Sequence, residues 1–128
     1  MCLVNDRVWS GGEDNSVRVW EDGAQIKHLK EHRGWVNAIS QAGRQVWTGS
    51  SDKTVLCWDA ASLQVLHVLD AHTAYVKSIV RVRWQMWTCG GDRAVCVYVG
   101  EGIFDGLQDD VDSLGHEKKR LEVRKLDL

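Results

Sequence analysis

Through the middle of the chain, apolar residues fall in short stretches separated by turn formers. VNAIS is apolar enough for one strand, QAGR reads as a turn and QVWTGS as a second strand. SDKT is another turn, VLCWDA a third strand and LQVLHVLDA a fourth. Strand signals thus recur about every ten residues. VLCW is apolar at consecutive rather than alternating positions, and such a strand is buried on both faces. A four-stranded sheet between two similar sheets meets that demand, so the pattern predicts an all-β fold of stacked sheets.

The same pattern repeats. VWSGGEDNSVRVWE from Val8, VWTGSSDKTVLCWD from Val46 and MWTCGGDRAVCVYV from Met86 align without gaps, 38 and then 40 residues apart. Trp9, Trp47 and Trp87 coincide, as do Asp14, Asp52 and Asp92, and Val17, Val55 and Val95. Tyr98 takes the place of Trp20 and Trp58, and Cys89 stands where the other copies have glycine. Upstream of two copies lie His32 in EHRGWVNAIS and His72 in AHTAYVKSIV, also 40 apart, followed four residues later by Val36 and Val76. Two interleaved signals with one period do not arise by chance.

These residues resemble WD40 repeats, whose units form the four-stranded antiparallel blades of a β-propeller. The resemblance covers residues 1 to 104, in units of about 1–30, 31–70 and 71–104. Trp58-Asp59 matches the dipeptide that names the family; Trp20-Glu21 is a mild variant and Tyr98-Val99 a weak one. The resemblance implies a structural tetrad in which a turn Asp accepts from a loop His, the His meets a strand hydroxyl, and the hydroxyl meets a Trp ring N–H. The middle unit carries all four as His32, Thr48, Asp52 and Trp58. The third has His72, Thr88 and Asp92 with Tyr98 in place of Trp, and the first has Ser10, Asp14 and Trp20 without an upstream histidine. A histidine, a hydroxyl and a carboxylate also compose a nucleophilic triad, but the resemblance favours the structural role.

The family resemblance further implies a non-catalytic scaffold that presents a rigid rim to protein partners. Residues after the loop histidine and before the turn Asp are expected on that rim: Glu13, Arg33, Trp35, Ser51, Thr73 and Tyr75. Large aromatics beside Arg are the residue types that anchor interfaces. The competing reading packs them between blades.

Composition narrows the function classes. With 16 Lys+Arg against 18 Asp+Glu the net charge is -2, which leaves no electrostatic surplus for nucleic acid or acidic membranes. Arg81 and Arg83 beside Trp84 are the compact basic and aromatic cluster. The chain has no proline, so Gly, Asp, Asn and Ser must make its turns. Apolar runs fall well short of the ~18 residues of a membrane span and no secretory pattern opens the chain, so an intracellular, cytoplasmic setting is expected. The four cysteines form no C-x-x-C pair. Cys57 and Cys96 lie in strand patterns, where reduced cysteine acts as a small buried hydrophobe, and neither metal nor cofactor is expected. No acid pair, phosphate loop or activated nucleophile stands outside the tetrad.

After Tyr98 the signal fades. Ile103 and Phe104 offer a weak fourth strand for the third unit. From residue 105 a charged tail is expected, with Asp105, Asp109, Asp110 and Asp112 preceding Lys118, Lys119, Arg120, Arg124 and Lys125, and with helix formers over 116–128. Propellers close with about four to eight blades, so three units leave apolar faces open. Self-association, the missing blades of a longer and even catalytic protein, or a protein partner would cover them.

Overall fold

The computed structural model describes residues 1–4, 6–83, 85–99 and 122–127. These form twelve strands in three four-stranded antiparallel sheets. The first sheet holds β1 (Cys2–Val4), β2 (Arg7–Gly11), β3 (Val17–Glu21) and β4 (Ala24–Leu29) in chain order. The second holds β5 (Val36–Ala42), β6 (Gln45–Ser50), β7 (Val55–Asp59) and β8 (Val65–Leu69) in the same order. In the third, β9 (Val76–Val82), β10 (Gln85–Gly90) and β11 (Ala94–Val99) are completed by β12 (Glu122–Asp127). Turn residues at positive φ, among them Asn15, Lys53 and Arg93 at equivalent places in the three β-turns, do the work that proline-free turns require. No described helix is long and apolar enough to cross a membrane.

The sheets stack as the doubly apolar strands demand. All six residues of β6 are buried. One core lies between the first two sheets, where Val4, Trp9, Val17 and Val19 meet Val36, Val46, Leu56 and Trp58. A second lies between the second and third, where Ala42, Trp47, Val55 and Cys57 meet Val76, Ile79, Met86, Cys96 and Tyr98. The two junctions share one geometry. Trp9 meets Trp58 edge-on at 6.1 Å between ring centroids, and Trp47 meets Tyr98 edge-on at 5.2 Å. Glycine is required where one sheet's second strand meets the next sheet's first. A Cβ on Gly11 would come within 2.5 Å of Val36 Cγ1, and one on Gly49 within 2.5 Å of Val76 Cγ1. Cys57 and Cys96 are fully buried, and burial pushes both thiols up from their ordinary pKa.

The C-terminal residues depart from the sequence expectation. Helix formers over 116–128 suggested a helical tail, yet residues 122–127 form β12, paired with β11 from Ala94↔Asp127 to Val99↔Glu122. They take the fourth-strand place foreseen for Ile103 and Phe104, which lie outside the described residues, as do Trp84 and the aspartates of 105–112. The physical reason is the edge of β11. An unpaired row of backbone donors and acceptors outweighs the intrinsic preference of a segment too short to hold an isolated helix.

The tryptophans on the second strands differ in how their ring N–H is satisfied. Trp47 Nε1 donates to Gln45 Oε1 at 3.1 Å and Trp87 Nε1 to Gln85 Oε1 at 3.0 Å. Trp9 is fully buried and its Nε1 has no partner among the described residues. The equivalent of Gln45 is Arg7, which can only donate. Replacing Arg7 by Gln should therefore stabilise the protein by about 1 kcal/mol in urea denaturation, because the half-exposed Arg7–Glu21 contact at 3.9 Å that is lost is worth less.

Candidate functional site

The middle unit builds a continuous polar chain inside the protein. His32 precedes β5, Thr48 lies on β6, Asp52 in the β6–β7 turn and Trp58 on β7. Trp58 Nε1 donates to Thr48 Oγ1 at 2.9 Å, Thr48 Oγ1 lies 2.7 Å from His32 Nε2, and His32 Nδ1 lies 2.9 Å from Asp52 Oδ2. An indole only donates and a carboxylate only accepts, so the hydrogens have one consistent direction. Trp58 gives to Thr48, Thr48 to His32, and the His32 Nδ1–H to Asp52. The order of hydroxyl, imidazole and carboxylate is that of a nucleophilic triad. Here Thr48 is fully buried and its oxygen is already engaged by the indole.

The third unit repeats the last two links, with His72 Nε2 2.7 Å from Thr88 Oγ1 and His72 Nδ1 2.9 Å from Asp92 Oδ2. Tyr98 does not complete them. Its hydroxyl is buried without a hydrogen-bond partner among the described residues, although Thr88 and Cys96 are its polar neighbours, and burial pushes the phenol pKa up. In the first unit Trp20 Nε1 donates to Ser10 Oγ at 2.9 Å. Asp14 Oδ2, without the loop histidine of the other units, accepts from Arg18 Nη2 at 2.7 Å, and His28 Nε2 of β4 lies 4.0 Å from it. Hydrogen bonds from the Ser16 and Arg18 side chains hold the Asp14 carboxyl well below the ordinary range. Sequence reasoning missed Arg18, although a charged residue where the other copies have Leu56 and Cys96 was a readable signal. It also missed Lys125 of β12, whose Nζ lies 3.5 Å from Asp92 Oδ2; nothing in the repeat pattern pointed there.

The turn aspartates also hold the rim loops. Asp52 Oδ2 accepts from the Arg33 N–H at 2.9 Å, and Asp92 Oδ2 from the Thr73 N–H at 3.1 Å. The Trp35 carbonyl accepts from the Ser51 N–H at 2.8 Å and the Tyr75 carbonyl from the Gly91 N–H at 2.9 Å. Asn37 Nδ2 donates to Ser51 Oγ at 3.0 Å and across to the Val76 carbonyl at 2.9 Å, tying this rim to the next sheet. Glu13, Arg33, Trp35, Ser51, Thr73 and Tyr75 are all exposed, the two aromatics at 52% and 48%. The Tyr75 ring lies against Gly91, where any Cβ would overlap it.

Partial burial pushes the Asp52 carboxyl upward, but hydrogen bonds from Thr54, the Arg33 N–H and His32 outweigh it and hold the pKa at about 2. Desolvation and its opposing hydrogen bonds, from the Thr73 N–H, His72 and the Ala94 N–H, likewise leave Asp92 at about 2. Because both folded values lie below the ordinary 3.8, the stability they contribute is complete above that value and is lost as pH falls from about 4 towards 2. An Asp52→Asn variant should show a shallower acid limb in melting temperature against pH. Replacing Thr48 by Val should cost about 1–3 kcal/mol, since it leaves the Trp58 indole and the His32 ring without their buried partner. Urea denaturation of the purified variant measures it.

Comparison with known proteins accords with this geometry. The family profile described as WD domain, G-beta repeat matches residues 23–59, which run from β4 of the first sheet to the end of β7 in the second. Myosin heavy chain kinase C of Dictyostelium discoideum is 34% identical over 77 residues, covering 59% of this chain and 10% of its own. Human cilia- and flagella-associated protein 52 is 32% identical over 107 residues, covering 78% of this chain and 17% of its own. The chain thus spans less than a fifth of the length of these relatives. The crystal structure of the WD40 β-propeller domain of Doa1 superposes with a TM-score of 0.64 at 22% identity, over 74% of this chain and 33% of that one, a likeness of fold. With the repeated motifs, the three stacked sheets and these matches together, the chain belongs to the WD40-repeat family and forms three blades of an unclosed β-propeller.

Proposed function

We propose that this chain is a non-catalytic protein-interaction scaffold whose binding surface is the rim formed by Glu13, Arg33, Trp35, Ser51, Thr73 and Tyr75. The observation that supports the reading most is the exposure of Trp35 and Tyr75, at the same place in consecutive repeats, on loops whose backbone is fixed by hydrogen bonds. Half-exposed aromatics on a fixed backbone lose little entropy on binding and bring large contact area. The tetrads of His32, Thr48, Asp52 and Trp58, of His72, Thr88 and Asp92, and of Ser10, Asp14 and Trp20 then serve to hold that rim in shape. Protein partners suit the rim better than nucleic acid, given the net charge of -2. An intracellular setting agrees with relatives named for cilia, flagella and nuclear distribution.

A second reading is a regulatory module within a longer, catalytic protein, favoured by the similarity to a relative named as a kinase, of which this chain matches only 10%. In that case catalysis belongs to other parts of the longer chain, and residues 1–128 assayed alone should transfer no phosphate.

The rim reading is tested by a Trp35→Ala, Tyr75→Ala double variant. Truncation of interface anchors typically costs ~2 kcal/mol or more of binding, so capture of partners should fall at least about 30-fold. The melting curve should change little, because exposed substitutions usually stay within about 0.5 kcal/mol. A collapsed melt would assign these aromatics to the fold instead.

A further inference from the structure

The two outward sheet faces carry the two halves of one junction. On the third sheet, Trp87 pairs across the strands with Val80, and Gln85 with Val82, so these side chains share the face turned away from the second sheet. Leu126 joins them through its pairing with Val95, which pairs with Cys89. Trp87 is 36% exposed, against 0% for Trp9 and Trp47, the tryptophans at its position in the other repeats. Val80, Val82 and Leu126 are exposed beside it. In the two internal junctions this tryptophan receives the edge-on ring of Trp58 or Tyr98 from the following sheet.

The matching half stands on the first sheet. Val8 pairs with Leu3 and with Trp20, so Leu3, Val8 and Trp20 share the face turned away from the second sheet. Trp20 occupies the repeat position of Trp58 and Tyr98, and Val8 that of Val46 and Met86. Leu3 is 63% exposed. Arg18 brings no unpaired charge to this face, because its guanidinium is bonded to Asp14 at 2.7 Å and to Gln25 at 3.2 Å.

One further residue distinguishes the Trp87 face from an ordinary blade. At the internal junctions Val36 and Val76 pack on Gly11 and Gly49, with no room for a Cβ. The equivalent position on the third sheet is Cys89, whose side chain would stand in the path of such a valine. The bulk of Cys89 therefore disfavours a neighbouring blade that brings the standard valine.

We propose that the Trp87 face of one copy packs against the Trp20 face of a second copy, continuing the blade register head to tail. Trp20 then takes the edge-on place that Trp58 and Tyr98 take within the chain. Such a heterologous contact closes into a ring when its rotation permits and otherwise runs on as a filament.

The test is solution mass by sedimentation velocity on the 128-residue chain. A multiple of the single-chain mass is expected. Trp87→Asp, and separately Leu3→Lys, should each reduce it to a single chain with unchanged circular dichroism. Mixing the two variants should restore a two-chain species, because the Leu3→Lys copy keeps an intact Trp87 face and the Trp87→Asp copy an intact Trp20 face. Val80→Lys serves in place of Trp87→Asp should that variant unfold. A folded wild-type monomer would overturn the proposal, by showing that the face is covered within one chain or awaits a different blade. Assembly that survives both variants, or a mixture that stays monomeric, would overturn it as well.

Discussion

A sheet with apolar side chains on both faces is stable only when another sheet covers each of them. Everything else in this protein follows from that constraint. It explains why the strands of the middle sheet are apolar at consecutive positions. It explains why Gly11 and Gly49 must lack side chains where Val36 and Val76 cross, and why the tryptophans recur at one spacing. Each junction is directional. The second strand of one sheet presents a tryptophan, and the third strand of the next presents the ring that meets it.

Within this apolar stack the polar chain is the exception that has to be satisfied completely. A buried hydroxyl or imidazole without a partner loses the hydrogen bonds that water gave it. The middle blade meets the requirement in full, from Trp58 through Thr48 and His32 to Asp52. The first blade meets it by substitution, with Arg18 on the turn aspartate, while the third keeps His72 on Asp92 and Lys125 approaches the same carboxylate from a strand outside the repeat. Where no substitute stands, a group is left without a partner among the described residues, as at the Trp9 indole and the Tyr98 hydroxyl. The rim loops inherit their rigidity from the same aspartates, so fold and candidate binding surface share atoms.

How much of this was legible in the sequence follows from what is local and what is periodic. β5 to β8 could be drawn from VNAIS, QVWTGS, VLCWDA and LQVLHVLDA because strand and turn chemistry agree there. The network of His32, Thr48, Asp52 and Trp58 was legible through its period, which ties residues twenty positions apart that no local rule connects. β12 was not legible. Its residues favour a helix in isolation and become a strand only because β11 offers an edge that no nearer described segment fills. Arg18 was half legible: its departure from the apolar position of Leu56 and Cys96 was visible, but its carboxylate partner depended on three-dimensional closeness.

The matched family segment, residues 23–59, begins on the last strand of one sheet and ends on the third strand of the next. No single sequence repeat is therefore a self-contained structural piece, and each one fastens two sheets together as it folds. Cooperativity in such an array is nearest-neighbour in kind, and among the described sheets of one chain the middle one has a neighbour on either side. Its β6, buried at every position, belongs with the slowest-exchanging amides, while β1 and β12 at the outer margins can open without it. Within the described sheets of one chain, protection against exchange would thus fall off outward in both directions from Trp47.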